Sequence, residues 1–219
     1  MRAADQIVAD LVDTIGSGAL PLGSRLPTER DLAQRYGVSG PTVREAIRAV
    51  AAIGLVEVRH GSGTYIAPNL HGILRRPLLA LIRFNDLGSA DLAPLFDPLC
   101  DYLAMQAIEH GTLTEIDRLH AVTERAELAD DGNQVTAVDL ELLRLVLDTT
   151  HHAVLVELCG FLVESLVPTQ VAAVSGRPPR TWRSWLAARR RTRAGLLAAY
   201  SARDPEQLAG CVRALVLGD

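Results

Sequence analysis

Arg44 and Arg48 are one helical turn apart, and Gly40, Thr42 and Glu45 fall with them on the outward side of the same predicted helix. An arginine fork pairs bidentately with guanine or with a phosphate. The same residues can equally form a solvated face, paired with Glu45 or Glu29. A second cationic group is the run Arg189-Arg190-Arg191 with Arg193. On a helix these side chains point in different directions, so one can face inward while the others stay wet. Asp148 and His152, at i and i+4, would offer a metal two ligands at most, and a capping or surface role is expected for His152. His71, His110 and His120 lie in polar contexts and read as solvated. Trp182 and Trp185, at i and i+3, read as packing or interface residues. Cys100, Cys159 and Cys211 have no histidine partner that would make a nucleophile of a thiol. No nucleophile–base pair and no metal site stands out, so no enzyme and no cofactor is expected.

The elements that must position these groups are legible from punctuation. Ile7, Val8, Leu11, Val12 and Ile15 give Ala4–Ile15 a helical apolar face, stopped by Gly16-Ser17-Gly18. Leu20 to Pro27 is a tight connector. Thr28 is an N-cap with Asp31 three residues on, and that helix runs to Tyr36 before Gly37. Ser39 is a second N-cap candidate, with Pro41 in the first turn of a helix that buries Val43, Ala46, Ile47 and Val50 and closes at Gly54. Leu55–Arg59 and Thr64–Ile66 flank His60-Gly61-Ser62-Gly63 and predict a β-hairpin. Three helices followed by a hairpin is the order of a winged helix-turn-helix, whose second motif helix presents its N-terminal residues to base edges. Beyond Ser89 the breaks at Gly111, Asp130-Asp131-Gly132, Thr149–His152, Gly176–Pro179 and Asp204-Pro205 separate helical stretches. The fold class is therefore mainly α: an N-terminal winged helix-turn-helix over 1–68, a linker with the first bundle helix over 69–89, and an all-helical antiparallel bundle over 90–219.

Composition narrows the function classes. The 219 residues are 48% hydrophobic and 22% charged, which argues against wholesale disorder. No run approaches 18 consecutive apolar residues, so no membrane span is expected. Asp5, Asp10 and Asp13 do not suit a signal peptide. Three widely spaced cysteines read as buried free thiols in a reducing cytoplasm. The net charge of −4 is not evenly spread: residues 1–70 carry seven arginines and seven acids, and residues 71–219 hold the whole deficit. There is no lysine, so every fixed side-chain cation is a guanidinium. The acidic total disfavours a nonspecific nucleic-acid coat and leaves room for a local basic face.

Several motifs occur together and in order: Leu26-Pro27-Thr28-Glu29-Arg30-Asp31-Leu32-Ala33, Gly37-Val38-Ser39, Val43-Arg44-Glu45-Ala46, Gly54-Leu55-Val56 and Gly61-Ser62-Gly63-Thr64-Tyr65-Ile66. Over residues 5–67 the chain resembles the DNA-binding domain of the GntR family of bacterial transcription regulators. The resemblance implies DNA contacts from Arg30, from Ser39 and Thr42 at the opening of the recognition helix, from Arg44, and from the wing-tip Gly61 beside His60. Arg48 joins them from the outward helix face. His60 can meet a phosphate or the minor-groove floor, or remain an ordinary loop histidine. One departure stands out: the family usually has arginine directly after Val-Ser, whereas this chain has Gly40 followed by Pro41.

The helical C-terminal part resembles the FadR-type branch, with an FCD effector domain that binds small carboxylates or acyl compounds. Many members hold a divalent metal with one aspartate and three histidines. Placed in that register, the aspartate is Asp139, and the histidine positions are Leu143, Arg193 and Leu215. One carboxylate beside a guanidinium does not hold a transition metal, so no metal is expected. Asp139 and Arg193 would instead form an ion pair, bind an anionic effector through Arg193, or simply close an effector-free apolar core. The expected whole is a cytoplasmic, homodimeric repressor that reads an inverted-repeat operator in double-stranded DNA and answers to a carboxylate or acyl effector. The alternatives are an effector-free architectural dimer and a small-molecule enzyme tethered to a DNA-binding unit.

Overall fold

A computed structural model describes residues 2–67 and 75–218. Pro68 and His71 lie outside the described residues. The chain divides into two compact units, residues 1–76 and 77–219.

Unit 1 opens with α1 (Ala3–Gly16), which buries Ile7, Leu11 and Ile15. Val12, expected on that apolar face, is 39% exposed because it falls just outside the buried stripe. Helix α2 (Glu29–Tyr36) begins with the expected reciprocal cap: Thr28 Oγ1 accepts from Asp31 N, and the Asp31 carboxylate accepts from Thr28 N. Gly37, at φ 64°, ends it. Helix α3 (Gly40–Ala52) buries the four predicted residues, Val43, Ala46, Ile47 and Val50, against α1 and α2. Ser39 occupies the N-cap position, but its hydroxyl makes no cap bond; it pairs with Thr42 Oγ1 at 2.9 Å.

Strands β1 (Val56–Arg59) and β2 (Gly63–Ile66) form the antiparallel hairpin, with Val56 opposite Ile66. The connector adds a short third edge. Leu26 N donates to Thr64 O and Ile66 N to Ser24 O, both at 2.8 Å, around a bridge between Arg25 and Tyr65. Gly63 takes φ 116°, and a Cβ there would lie 2.9 Å from Arg25 Nε.

From Arg75 onward the described residues form seven helices: α4 (Arg75–Phe84), α5 (Ser89–His110), α6 (Leu113–Ala126), α7 (Gly132–Asp148), α8 (Ala153–Ser175), α9 (Pro179–Ala202) and α10 (Pro205–Leu217). Their starts are chemical. Thr112 and Glu115 cap α6 reciprocally, and Asp131 accepts from the backbone of Asn133 and Gln134. Asp204 caps α10 through Gln207 N, ahead of Pro205. His152 Nδ1 accepts from Leu155 N and caps α8, the role expected of it over metal binding.

Helix α8 is long and apolar enough to cross a membrane by length and composition alone, although Glu157 and Glu164 interrupt its apolar run. Here it packs against α5, α7 and α10 and buries Leu155, Cys159, Phe161, Leu162, Leu166 and Val171, so its hydropathy is explained by a core position. Cys100 and Cys159 are buried free thiols as expected, while Cys211 is only half-buried.

Candidate nucleic-acid interface and a buried arginine site

Helix α3 carries the first candidate site. Its buried stripe fixes which side faces outward: Arg44 and Arg48 are exposed, and Thr42 is half-buried. Arg30 on α2, Ser39, and His60 and Gly61 at the hairpin turn are exposed as well. Gly61, at φ 75°, makes the turn in a conformation that favours glycine. Arg44 does not reach outward alone. Its Nη1 lies 3.2 Å from Glu29 Oε2, with both side chains about half exposed (48% and 47%). Such a surface pair is worth about 0–1 kcal/mol, and a good bidentate base contact about 1–3 kcal/mol. The pair therefore orients the guanidinium without withholding it from a stronger acceptor. A Cβ on Gly40 would be 3.5 Å from Arg44 Nη1, an ordinary contact, so Gly40 leaves Arg44 free space at the start of the helix. On the wing, the Arg59 guanidinium stacks 4.5 Å over Tyr65 and pairs with Glu57.

The second site lies inside unit 2. Asp139, on the buried side of α7, is fully inaccessible and holds two arginines of α9: Arg189 Nε at 2.5 Å and Arg193 Nε at 2.8 Å. Arg189 Nη2 donates to Leu215 O at 2.6 Å, and Arg193 Nη1 to Ala126 O at 3.3 Å. The Arg189 guanidinium also lies 4.7 Å from the Trp185 ring, which stacks on Trp182, and Trp182 Nε1 donates to Asp130 O. Burial pulls Arg189 below its ordinary pKa and the neighbouring Arg193 charge adds to this, while Asp139 acts in the opposite direction.

Asp139, Arg193 and Leu215 thus come together, with Leu215 contributing its carbonyl and Leu143 buried nearby on α7. In the sequence Arg189 is one member of a cationic run, and its spacing of four from Arg193 is the signal that puts both on one helix face. Arg190 and Arg191 do not join them: Arg190 pairs with Glu127 at the surface and Arg191 is exposed.

The donor set does not fit a divalent metal. Both Asp139 oxygens are engaged by guanidiniums, and any cation entering would face two fixed positive charges. Among the described residues no cluster of three or more histidine, cysteine or acidic side chains could hold one.

Comparison with known proteins places both units. Residues 3–66 match the family described as bacterial regulatory proteins, gntR family, and residues 100–217 match the FCD domain. An uncharacterized HTH-type transcriptional regulator, Rv0494, of Mycobacterium tuberculosis is 32% identical over 70% of this chain and 64% of its own length. The HTH-type transcriptional regulator LutR of Bacillus subtilis is 28% identical over 71% of each chain. The HTH-type transcriptional regulator Rv1152 of Mycobacterium tuberculosis is 44% identical over 29% of this chain and 52% of its own. The matches therefore span less than two thirds of the first two mycobacterial relatives. Among solved structures, a GntR protein of Streptococcus agalactiae superposes with a TM-score of 0.70 at 23% identity, covering 98% of this chain and 97% of its own, which supports the fold.

Proposed function

Because the chain belongs to the GntR family of bacterial regulatory proteins, in the branch with an FCD domain, and is a transcriptional regulator of that kind, we propose that it is a cytoplasmic repressor whose operator binding is controlled by a small anion held in unit 2. The observation that carries the DNA half is the outward face of α3, with Thr42, Arg44 and Arg48 above a fully buried opposite face. Arg44 and Arg48 read bases or phosphates. Ser39 and Thr42, paired through their hydroxyls, contact the backbone where the helix enters the groove, and Arg30 adds a phosphate contact from α2. His60 and Gly61 reach the minor groove from the wing. Two copies related by a two-fold axis would present two α3 helices to the half-sites of an inverted repeat.

The effector half rests on Asp139 and Arg193, with an anion coupled to the DNA-reading unit by the usual 1–3 kcal/mol or so of linkage. A second reading, an architectural dimer without an effector, is favoured by the fact that Asp139 already holds both arginines. The test of the DNA half is Arg44→Ala in a footprinting and anisotropy titration. A loss of about 1–3 kcal/mol with relaxed preference at one position is expected. Unchanged operator binding would remove Arg44 from the site.

A further inference from the structure

Arg35, Arg44 and Arg59 of unit 1 each meet a carboxylate, at 3.7, 3.2 and 3.0 Å. Arg25, on the edge segment beside β2, is exposed and has no such partner among the described residues. Arg25 is bridged to Tyr65, Tyr65 lies opposite Glu57, and Arg59 lies opposite Gly63. Paired residues and residues two apart share a sheet face, so Arg25 and Arg59 rise on the same face, one from each side of β2. They lean in opposite directions along it. Arg59 leans back from the turn, over the Tyr65 ring at 4.5 Å and onto Glu57. Ser62 and Tyr65, joined through their hydroxyls at 2.9 Å, keep that ring in place. Arg25 starts level with Tyr65 and reaches forward to Gly63. A Cβ on Gly63 would lie 2.9 Å from Arg25 Nε, 3.0 Å from Nη2 and 3.3 Å from Cζ. The guanidinium therefore rests against a stretch of backbone that is open to it because residue 63 has no side chain.

We infer that Arg25 is a DNA-phosphate contact at the root of the wing and that Gly63 is its seat. The level follows from lengths. Gly61 is two residues ahead of Gly63, at most about 7 Å of chain. The minor groove is about 7.5 Å deep. When Gly61 lies near the groove floor, Gly63 stands near the rim, where phosphates are in reach and base edges are not. A guanidinium resting there donates to a phosphate oxygen without first releasing a carboxylate, whereas Arg59 would have to leave Glu57. Such a contact fixes the register of the wing on the duplex and carries no sequence information. This rests on the reading of His60 and Gly61 as the minor-groove end of the wing. It adds to that reading a residue from outside both the helix-turn-helix and the hairpin.

The test is fluorescence anisotropy of the full chain on a footprinted operator duplex and on a scrambled duplex of equal length, over a series of KCl concentrations. Arg25→Gln is expected to flatten the plot of log affinity against log salt by about 0.9 for each bound copy, and equally on both duplexes. Arg25→Lys is expected to keep the wild-type slope, because a phosphate accepts a point charge. Gly63→Ala, which displaces the guanidinium, is expected to flatten the slope in the wild-type background and to add nothing in Arg25→Gln. If Arg25→Gln unfolds unit 1 by circular dichroism, Arg25→Met, which keeps the apolar stem, carries the test. An unchanged slope in the folded variant, a loss confined to one base-pair position, or an Arg25→Lys as weak as Arg25→Gln would each overturn the contact. The two duplexes separate this proposal from the one it rests on. Wild-type preference for the operator with an unchanged Arg25→Gln slope removes Arg25 and leaves the operator reading standing. Equal wild-type binding to both duplexes with a flattened Arg25→Gln slope supports the phosphate contact and removes the operator reading.

Discussion

Asp139→Asn should be the most damaging conservative change in unit 2. The carboxylate is fully buried and is bonded to Arg189 at 2.5 Å and to Arg193 at 2.8 Å. Its loss leaves two guanidiniums in the core with no counter-charge. Removing one partner of a buried pair costs about 3–5 kcal/mol. At about 2–4 °C per kcal/mol for a chain of this size, the midpoint should fall by about 6–20 °C. Arg193→Leu is the contrasting change. It removes the surplus cation, keeps Asp139 paired with Arg189, and gives up the bonds to Asp139 Oδ1 and Ala126 O, a loss of about 1–3 kcal/mol. Urea denaturation read by tryptophan fluorescence resolves the two, because both tryptophans, Trp182 and Trp185, lie in unit 2 beside Arg189. Should Asp139→Asn prove no more than about 1 kcal/mol worse than Arg193→Leu, the charge argument is wrong.

Gly40→Arg restores the arginine usual at this point in the family, with room beside Arg44, and should tighten operator binding by about 1–3 kcal/mol in anisotropy titrations. Gly63→Ala places a side chain at φ 116°; Arg25 can swing aside, but the backbone strain of about 1–3 kcal/mol remains and should appear in the unfolding of unit 1 by circular dichroism. Burial pushes the Cys159 thiol up to about 11 and Cys100 up to about 12, so iodoacetamide at pH 8 should label half-buried Cys211 first. Because those folded values exceed the ordinary thiol pKa of about 8.5, both thiols favour the fold below that pH, and their contribution should fade as pH rises towards 11–12 in urea titrations. Zinc or nickel should leave the thermal midpoint of unit 2 unchanged, and a cation-dependent rise lost in Asp139→Asn would show that Asp139 is a ligand after all.

Unit 1 was readable because its signals are local. Thr28 with Asp31, Gly37, Pro41 and the apolar spacing of Val43 to Val50 each act within a few residues, and each has its predicted structural effect. Ser39 was the exception: its hydroxyl had a competing partner in Thr42, and which bond forms depends on side-chain geometry that spacing does not encode. The buried site was half legible. The pairing of Asp139 with Arg193 followed from a register, but Arg189 was lost in a run of like residues whose directions only the helix sorts out. That Arg193 Nη2 and Thr123 Oγ1 have no hydrogen-bond partner among the described residues was not legible at all, because an unmet hydrogen bond is a property of packed helices and leaves no mark on the order of residues.

The short edge contributed by Ser24–Leu26 changes how the wing should melt. An isolated two-stranded hairpin is at best marginal in water. This one is stitched to the connector that leads directly into α2, so it cannot open without freeing the start of that helix. The amides of Leu26 and Ile66 should therefore exchange with deuterium as slowly as those of α3, and the fingertip that probes the groove should be as long-lived as the helix beside it.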